Sequence, residues 1–382
     1  MVWGMTQTPT ILIFVILFAV ILKWTIFCDT FVNSKYVSLI IICLTVIQGI
    51  IKITINTIVN RPGADAETYY TDFYLPMINR TLKDIVLVNT GNEDMGFRAL
   101  MWIMGKFPPF SFLDFQIIIY CLFVVTLLLT LRVICDWSSM DIAFITIMLY
   151  GQYSNAIMSA FRQGIAISFI VAAVLVISHG NSMIRYIVSI SFSLLAVTFH
   201  SSALGMVVVL LVCIILGKRI KISVALAVLM IMIFLSRNNL TQKLFGAIGE
   251  KMNKHYEAYV SQETLNSVGD GNSVAYLLIS MVLLFGLLLL FKHVKFVEQS
   301  YLNLYIKIYI LGLIFFYAFA YIAYSYRIGM YPWILGIFIM LYAISRSNWN
   351  EARKGQGYLL LLSFVVANCY LMNSGSYFIT RI

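Results

Sequence analysis

Apolar runs of helix-spanning length follow one another along this chain and leave it few ways to fold. The runs are continuous rather than alternating, so they read as helices and not as strands. A hydrocarbon core about 30 Å thick takes about 20 apolar residues of helix to cross. Backbone groups inside that core must be satisfied internally, which leaves helices or closed barrels. About twelve candidate spans of about 15–22 residues can be marked. They fall at 10–27, 36–55, 115–134, 141–158, 163–179, 184–199, 201–216, 221–236, 273–291, 302–322, 328–345 and 356–373. Composition agrees, because the 382 residues are 61% hydrophobic and only 11% charged, against roughly 25% charged in soluble domains. The expected fold is all-α: a single polytopic integral membrane domain over 1–382, with about 12 transmembrane helices. The first run follows a start without a basic region and reads as a retained helix rather than a cleaved signal.

A net charge of +10 would suggest nucleic acid for a soluble protein. Here the basic residues sort by loop, and no nucleic-acid partner is expected. With the N-terminus outside, the inner loops carry Lys23, Lys35, Arg132, Arg185, Lys218, Arg219, Lys221, Lys292, Lys295, Arg346, Arg353 and Lys354. Basic residues in short loops mark the cytoplasmic side. The outer side then receives two long loops, 56–114 and 237–272, and the turns at Arg162, His200 and Arg327. In the first loop the spacing of Phe97, Leu100, Met101 and Met104 predicts an amphipathic helix. In the second, Leu244, Phe245, Ile248, Met252, Tyr256 and Tyr259 predict another.

The stretch Ser159-Ala160-Phe161-Arg162-Gln163-Gly164 puts an arginine between two apolar runs. Charge beside hydrocarbon costs about 2.5 kcal/mol or more near a bilayer centre, so such a residue is a functional candidate. On a continuous helix Gln152, Asn155, Ser159 and Arg162 would share one face. The plainer alternative is an arginine snorkelling to head groups. Near Arg327, Tyr317, Tyr321, Tyr324, Tyr326 and Tyr331 form either an interfacial aromatic belt or a platform for sugar rings. His200 is either a structural hydrogen-bonder or a usable base. Asp65, Glu67, Asp72, Glu93 and Asp94 supply carboxylates, most of which would be merely solvated.

Several patterns do not occur. The six cysteines form no CxxC pair, so neither a disulfide framework nor a metal site is read. GxxxxGK[ST], HExxH and GxGxxG are missing, as is the DxD pair of a metal-bound nucleotide sugar. A cytoplasmic nucleotide-sugar transferase is thereby disfavoured, and no cofactor is expected.

Arg162-Gln163-Gly164-Ile165-Ala166 followed by Phe199-His200-Ser201-Ser202-Ala203 resembles the pattern of the EpsG/Wzy-type polysaccharide polymerases. Arg61-Pro62-Gly63-Ala64-Asp65 with Tyr69 or Tyr70 is similar to an upstream loop of that family. Glu93 to Trp102, the pair Tyr256 and Tyr259, and Arg327-Ile328-Gly329-Met330-Tyr331 resemble its later elements, in the same order. Glu67 inside the first loop, and Asp94 and Met95 between Glu93 and Gly96, depart from the pattern and leave open which carboxylate matters. The resemblance implies a polymerase of undecaprenyl-diphosphate-linked oligosaccharide repeats, making O-antigen (a lipopolysaccharide component) or exopolysaccharide at the outer, periplasmic face of the bacterial inner membrane. It implies Arg162 and Arg327 as diphosphate-binding residues. Glu93, Asp65 or His200 would be the base, and Gln163, Tyr69, Tyr70, Tyr256 and Tyr324 would hold the glycan. Its expected partners are the lipid-linked oligosaccharide, membrane lipid and a chain-length-regulating membrane protein. A lipid-linked oligosaccharide flippase is the competing expectation, and another outer-face ligase or acyltransferase the third.

Overall fold

Helix is the regular structure of the described residues, with one isolated antiparallel bridge among them between Val294 and Ser347. The computed structural model describes residues 12, 15–24, 35–57, 64–81, 95–107, 109–158, 160–177, 183–217, 219–252, 260–261, 264–265 and 271–371. In order, the helices are α1 (Val15–Trp24), α2 (Lys35–Ile55), α3 (Ala64–Thr68), α4 (Met95–Met104), α5 (Phe112–Ile134), α6 (Met140–Leu149), α7 (Gly151–Met158) and α8 (Phe161–Val176). They continue as α9 (Ile184–Phe199), α10 (Ala203–Leu216), α11 (Ile222–Arg237), α12 (Leu240–Met252), α13 (Val274–Phe291), α14 (Phe296–Ala318), α15 (Tyr326–Ser345) and α16 (Glu351–Leu371).

Five of these are long and apolar enough to cross a membrane: α2, α5, α13, α14 from Glu298, and α15. The count becomes six if α11 and the start of α12 are one span, bent by 101° at Asn238 and Asn239. Asn239 holds the left-handed region there at φ 56°, which asparagine tolerates. Several long apolar helices fit a multi-pass membrane protein. Among the described residues the other apolar helices run over 10–17 residues. One expected span is divided by a local break. Tyr150, extended at ψ 114°, separates α6 from α7 inside the expected span 141–158. The chain also leaves helix at His200, between α9 and α10, where the expected spans 184–199 and 201–216 part.

The chain divides into two compact units. The first comprises Met1–Ala172, Leu194–Ser201 and Trp349–Ile382. Its centre is α6, apolar all round and buried along its whole length, as a helix of that kind must be. An ion pair enters this core. Lys23 Nζ lies 2.8 Å from Asp141 Oδ2, and also donates to Ser38 Oγ at 2.8 Å and the Ser138 carbonyl at 2.6 Å. Both charged side chains are buried, and Asp141 stands in the first turn of α6, where the helix dipole favours a carboxylate. Helix α5 starts on a capping box, with Ser111 Oγ accepting from the Asp114 amide and the Asp114 carboxylate accepting from the Ser111 amide. Gly49 lets α2 approach α5, since a Cβ there would overlap the Tyr120 hydroxyl.

The second unit comprises Ala173–Ser193 and Ser202–Asn348. Its core is the group α13, α14 and α15, knotted at Ser280. Trp333 Nε1 donates to Ser280 Oγ at 2.9 Å, and the Tyr309 hydroxyl donates to the Ser280 carbonyl at 3.0 Å. Tyr276 stacks on Trp333 with centroids 5.0 Å apart. Buried Lys307 donates to the Gly217 carbonyl at 2.8 Å and so satisfies the C-terminal end of α10.

Candidate functional site

The acidic residues Asp65 and Glu67 open α3, where a helix N-terminus favours negative charge. The same helix runs on with π winding over Tyr69–Tyr74 and closes in a 3-10 turn at Leu75–Met77. Single π turns are rare and frequent at functional sites. Here the winding sends two tyrosines one residue apart to different neighbours. Tyr69 is buried against Phe97 at 5.3 Å and Phe161 at 5.5 Å. Tyr70 turns to the start of α5, where its hydroxyl donates to the Phe110 carbonyl at 2.8 Å and its ring stacks on Tyr74 at 5.5 Å. Burial raises the Tyr70 phenol above its ordinary pKa, and Tyr74 and Asp114 add to the rise.

Arg162 occupies the first turn of α8, whose Gly164 amide bonds back to the Ala160 carbonyl at 2.9 Å. Its guanidinium lies 5.3 Å from the Tyr69 ring and 5.3 Å from the Phe73 ring. A cation so placed gains about 0.5–2 kcal/mol from the ring quadrupoles. A contact of Arg162 with both Tyr69 and Phe73 is therefore present. The continuous polar stripe is not. Helix α7 ends at Met158 and α8 begins at Phe161, so Gln152 and Arg162 stand on different helices. Gln152 is buried and donates to Asn368 of α16 at 3.5 Å. Asn155 lies on α7, and Ser159 lies outside the described residues. Gln163, expected to hold glycan, is buried.

Three groups were candidate bases. Asp65 is exposed, one helical turn before Tyr69. His200 is partly exposed and follows Phe199, the last residue of α9. Glu93 lies outside the described residues. The helix expected after it is present as α4, with Phe97, Met101 and Met104 buried. That helix docks beside His200, since a Cβ at Gly96 would overlap the Thr198 hydroxyl and press on the Phe199 ring. Tyr69 meets Phe97, and the neighbouring Gly96 packs on Thr198 and Phe199, so α4 lies between Tyr69 and the His200 turn within one unit.

Sequence reasoning assigned no role to Arg98, which is 5% exposed on α4. Burial lowers its pKa from the ordinary value, and the nearby Arg80 guanidinium lowers it further. The Arg80 carbonyl accepts from Trp102 Nε1 and from Lys106 Nζ, each at 3.0 Å. The available signal was position, because Arg98 lies three residues before buried Met101 on one helix face.

In the second unit, the Arg327 guanidinium lies 5.0 Å from the Tyr324 ring. Tyr324 has φ 61°, a conformation bulky residues rarely adopt and one that costs about 1–3 kcal/mol. The tyrosine row resolves into two roles. Tyr317, Tyr321 and Tyr331 are buried, with Tyr331 and Ser202 hydroxyls bonded at 3.0 Å, so they are core and neither belt nor platform. Tyr324 and Tyr326 remain partly exposed, 6.3 Å apart. Tyr256 lies outside the described residues, as does Tyr259. The second loop's expected helix is present as α12 up to Met252. Among the described residues no group of three His, Cys, Asp or Glu side chains could hold a metal ion.

Two features suit this arrangement to anionic, ring-bearing ligands. Arginine presents a planar fork of N–H donors that matches phosphate oxygens. Aromatic rings beside it fix where the fork stands. The model of the EpsG family matches residues 42–380 of the chain. No curated protein and no solved structure matches it.

Proposed function

This chain belongs to the EpsG family, linked to exopolysaccharide biosynthesis, and from that premise we propose that it is a membrane glycosyltransferase. In this reading it joins undecaprenyl-diphosphate-linked oligosaccharide repeats into exopolysaccharide or O-antigen. The reaction faces the periplasm at the bacterial inner membrane. The observation that carries the reading is Arg162 set between Tyr69 and Phe73 on a π-wound turn.

The chemistry runs as a displacement at the anomeric carbon. The acceptor hydroxyl oxygen forms the new bond to C1, and the bond from C1 to the diphosphate oxygen breaks. Undecaprenyl diphosphate leaves with the electron pair. The hydroxyl proton goes to Asp65, Glu93 or His200. Charge therefore develops on the leaving diphosphate, and a fixed guanidinium there stabilises the transition state more than the ground state. Arg162 supplies that guanidinium. Arg327, beside Tyr324, serves a lipid-linked diphosphate in the same manner. A polymerase handles two such lipids, one donor and one acceptor. Tyrosine rings hold sugars through their apolar faces.

The test is a strain lacking the native gene and carrying Arg162→Ala at normal expression. Single repeat units without long chains are expected on its glycolipids. A normal chain-length ladder would remove Arg162 from the mechanism. Accumulation of repeats on the inner leaflet in the deletion strain would favour a flippase instead.

A further inference from the structure

Helix α12 starts at a break in the chain's path. It follows α11 across a bend of 101°, with Asn238 and Asn239 between them. The first N–H groups of a helix have no partner within it and carry the positive end of its dipole. No acidic side chain stands in the first turn of α12 to answer them. The Asn238 side chain serves α11 instead, donating Nδ2 to the Phe234 carbonyl at 2.7 Å. Helix N-termini at such breaks in membrane helices are places where anionic groups bind.

A second observation stands in that first turn. Thr241 is 0% exposed, and its hydroxyl oxygen is buried without a hydrogen-bond partner. Elsewhere in the helices Thr45, Thr126, Thr130 and Thr146 each donate to the carbonyl four residues back, at 2.7–2.8 Å. For Thr241 that carbonyl belongs to Arg237, on the far side of the bend. A hydroxyl buried unsatisfied costs its full desolvation. Valine would fill the same volume without that cost, so packing gives no reason for threonine at this position. Each Cα–Cβ bond of a helix tilts toward the helix N-terminus, so Thr241 leans toward the unpartnered amides.

Arg237, the last residue of α11, borders the same break. Its Nη1 donates to the Asn272 carbonyl at 3.3 Å, and Ser236 Oγ donates to Asn272 Oδ1 at 2.6 Å. The guanidinium is therefore tied to the break by one donor, with the rest of its fork to offer. The same break adjoins the turn that carries Tyr324 and Arg327. The Gly271 amide donates to the Ala320 carbonyl at 2.7 Å, and Ser325 Oγ donates to that carbonyl at 3.2 Å. Phe245 of α12 meets Phe319 with centroids 6.1 Å apart. All of these residues belong to the second unit.

We propose that the break between α11 and α12 is a phosphate-binding site, where the first-turn amides of α12, the Thr241 hydroxyl and the Arg237 guanidinium take up a lipid phosphate group. The inference rests on the functional reading above, which supplies the lipid: a polyprenyl diphosphate held beside Arg327. Three kinds of donor meet there, namely backbone amides, a hydroxyl and a planar fork that matches phosphate oxygens. The Thr241 hydroxyl then has a phosphate oxygen as its acceptor, which gives the threonine a reason that packing does not.

The test uses the full chain in phosphatidylcholine nanodiscs, with undecaprenyl diphosphate and undecaprenol as probes and phosphatidylglycerol nanodiscs as the other source of lipid phosphate. Binding is read from the thermal midpoint as each lipid is added. Wild type is expected to bind the diphosphate more tightly than the alcohol. Thr241→Val, which keeps the volume and removes the hydroxyl, should weaken diphosphate binding about tenfold and leave undecaprenol binding unchanged. Thr241→Ser, which keeps the hydroxyl, should retain the diphosphate preference, and Arg237→Gln should lose as much of it as Thr241→Val. Without added lipid, Thr241→Val should melt no lower than wild type, because it removes an unsatisfied buried hydroxyl. Equal diphosphate binding by Thr241→Val and wild type would overturn the proposal and leave the functional reading standing. A response of Thr241→Val confined to phosphatidylglycerol nanodiscs would assign the site to bulk lipid and overturn its link to the diphosphate. Wild type with no preference for the diphosphate would instead overturn the functional reading and this inference with it.

Discussion

Arg162 and Arg327 are built in opposite ways. Arg162 lies on the unremarkable first turn of α8 and receives its rings from about 90 residues earlier in the chain, through the π turn at Tyr69–Tyr74. Arg327 takes its ring from Tyr324, three residues away, and the local backbone bears the strain at φ 61°. One cation is positioned by long-range packing and the other by a strained turn. The first should respond to changes in its aromatic wall, and the second to changes in its backbone.

The largest effect is expected at the cation itself. Arg162→Ala should lower polymerisation about 100–1000-fold, the scale for losing one fixed donor at a developing charge. Arg162→Lys should recover only part of this, because lysine lacks the bidentate fork. In vitro rates with lipid-linked repeats measure both, and full recovery by lysine would show that charge alone suffices. Tyr69→Leu comes next. It keeps apolar volume but removes the quadrupole beside Arg162, about 0.5–2 kcal/mol, or about 2–30-fold in rate. An unchanged rate would break the packing half of the comparison.

Tyr324→Gly tests the other half. Glycine accepts the left-handed region, so about 1–2 kcal/mol of strain is relieved. The thermal midpoint should hold or rise while activity falls a few-fold. A clear loss of stability would show that Tyr324 is held by packing rather than strained. Smallest is Tyr70→Phe, which removes one hydrogen bond to Phe110. Stability should fall by about 1 kcal/mol, with little change in rate. A large loss of activity would place the Tyr70 hydroxyl in glycan binding.

What could be read from the sequence depends on the range of the forces involved. The α4 helix was legible because Phe97, Met101 and Met104 repeat at helical spacing and that periodicity is local. Arg162 was legible because a charge between apolar runs stands out. Which of Tyr69 and Tyr70 meets Arg162 was not, since one residue of register depends on π winding that no propensity marks. The break at Tyr150 lies within an unbroken apolar run, so hydropathy carries no sign of it. The Lys23–Asp141 pair joins residues 118 apart. Sequence shows that Lys23 is basic and fits the charge rule for loops, but not that its charge is buried and paired.

The most direct measurement is the product made by the purified full-length protein in proteoliposomes containing only undecaprenyl-diphosphate-linked repeats. The expected result is a ladder of glycans, with one undecaprenyl diphosphate released for each bond formed and no second acceptor required. Wild-type protein that binds the lipid-linked repeat but yields no ladder, or a ladder undiminished by Arg162→Ala, would contradict it.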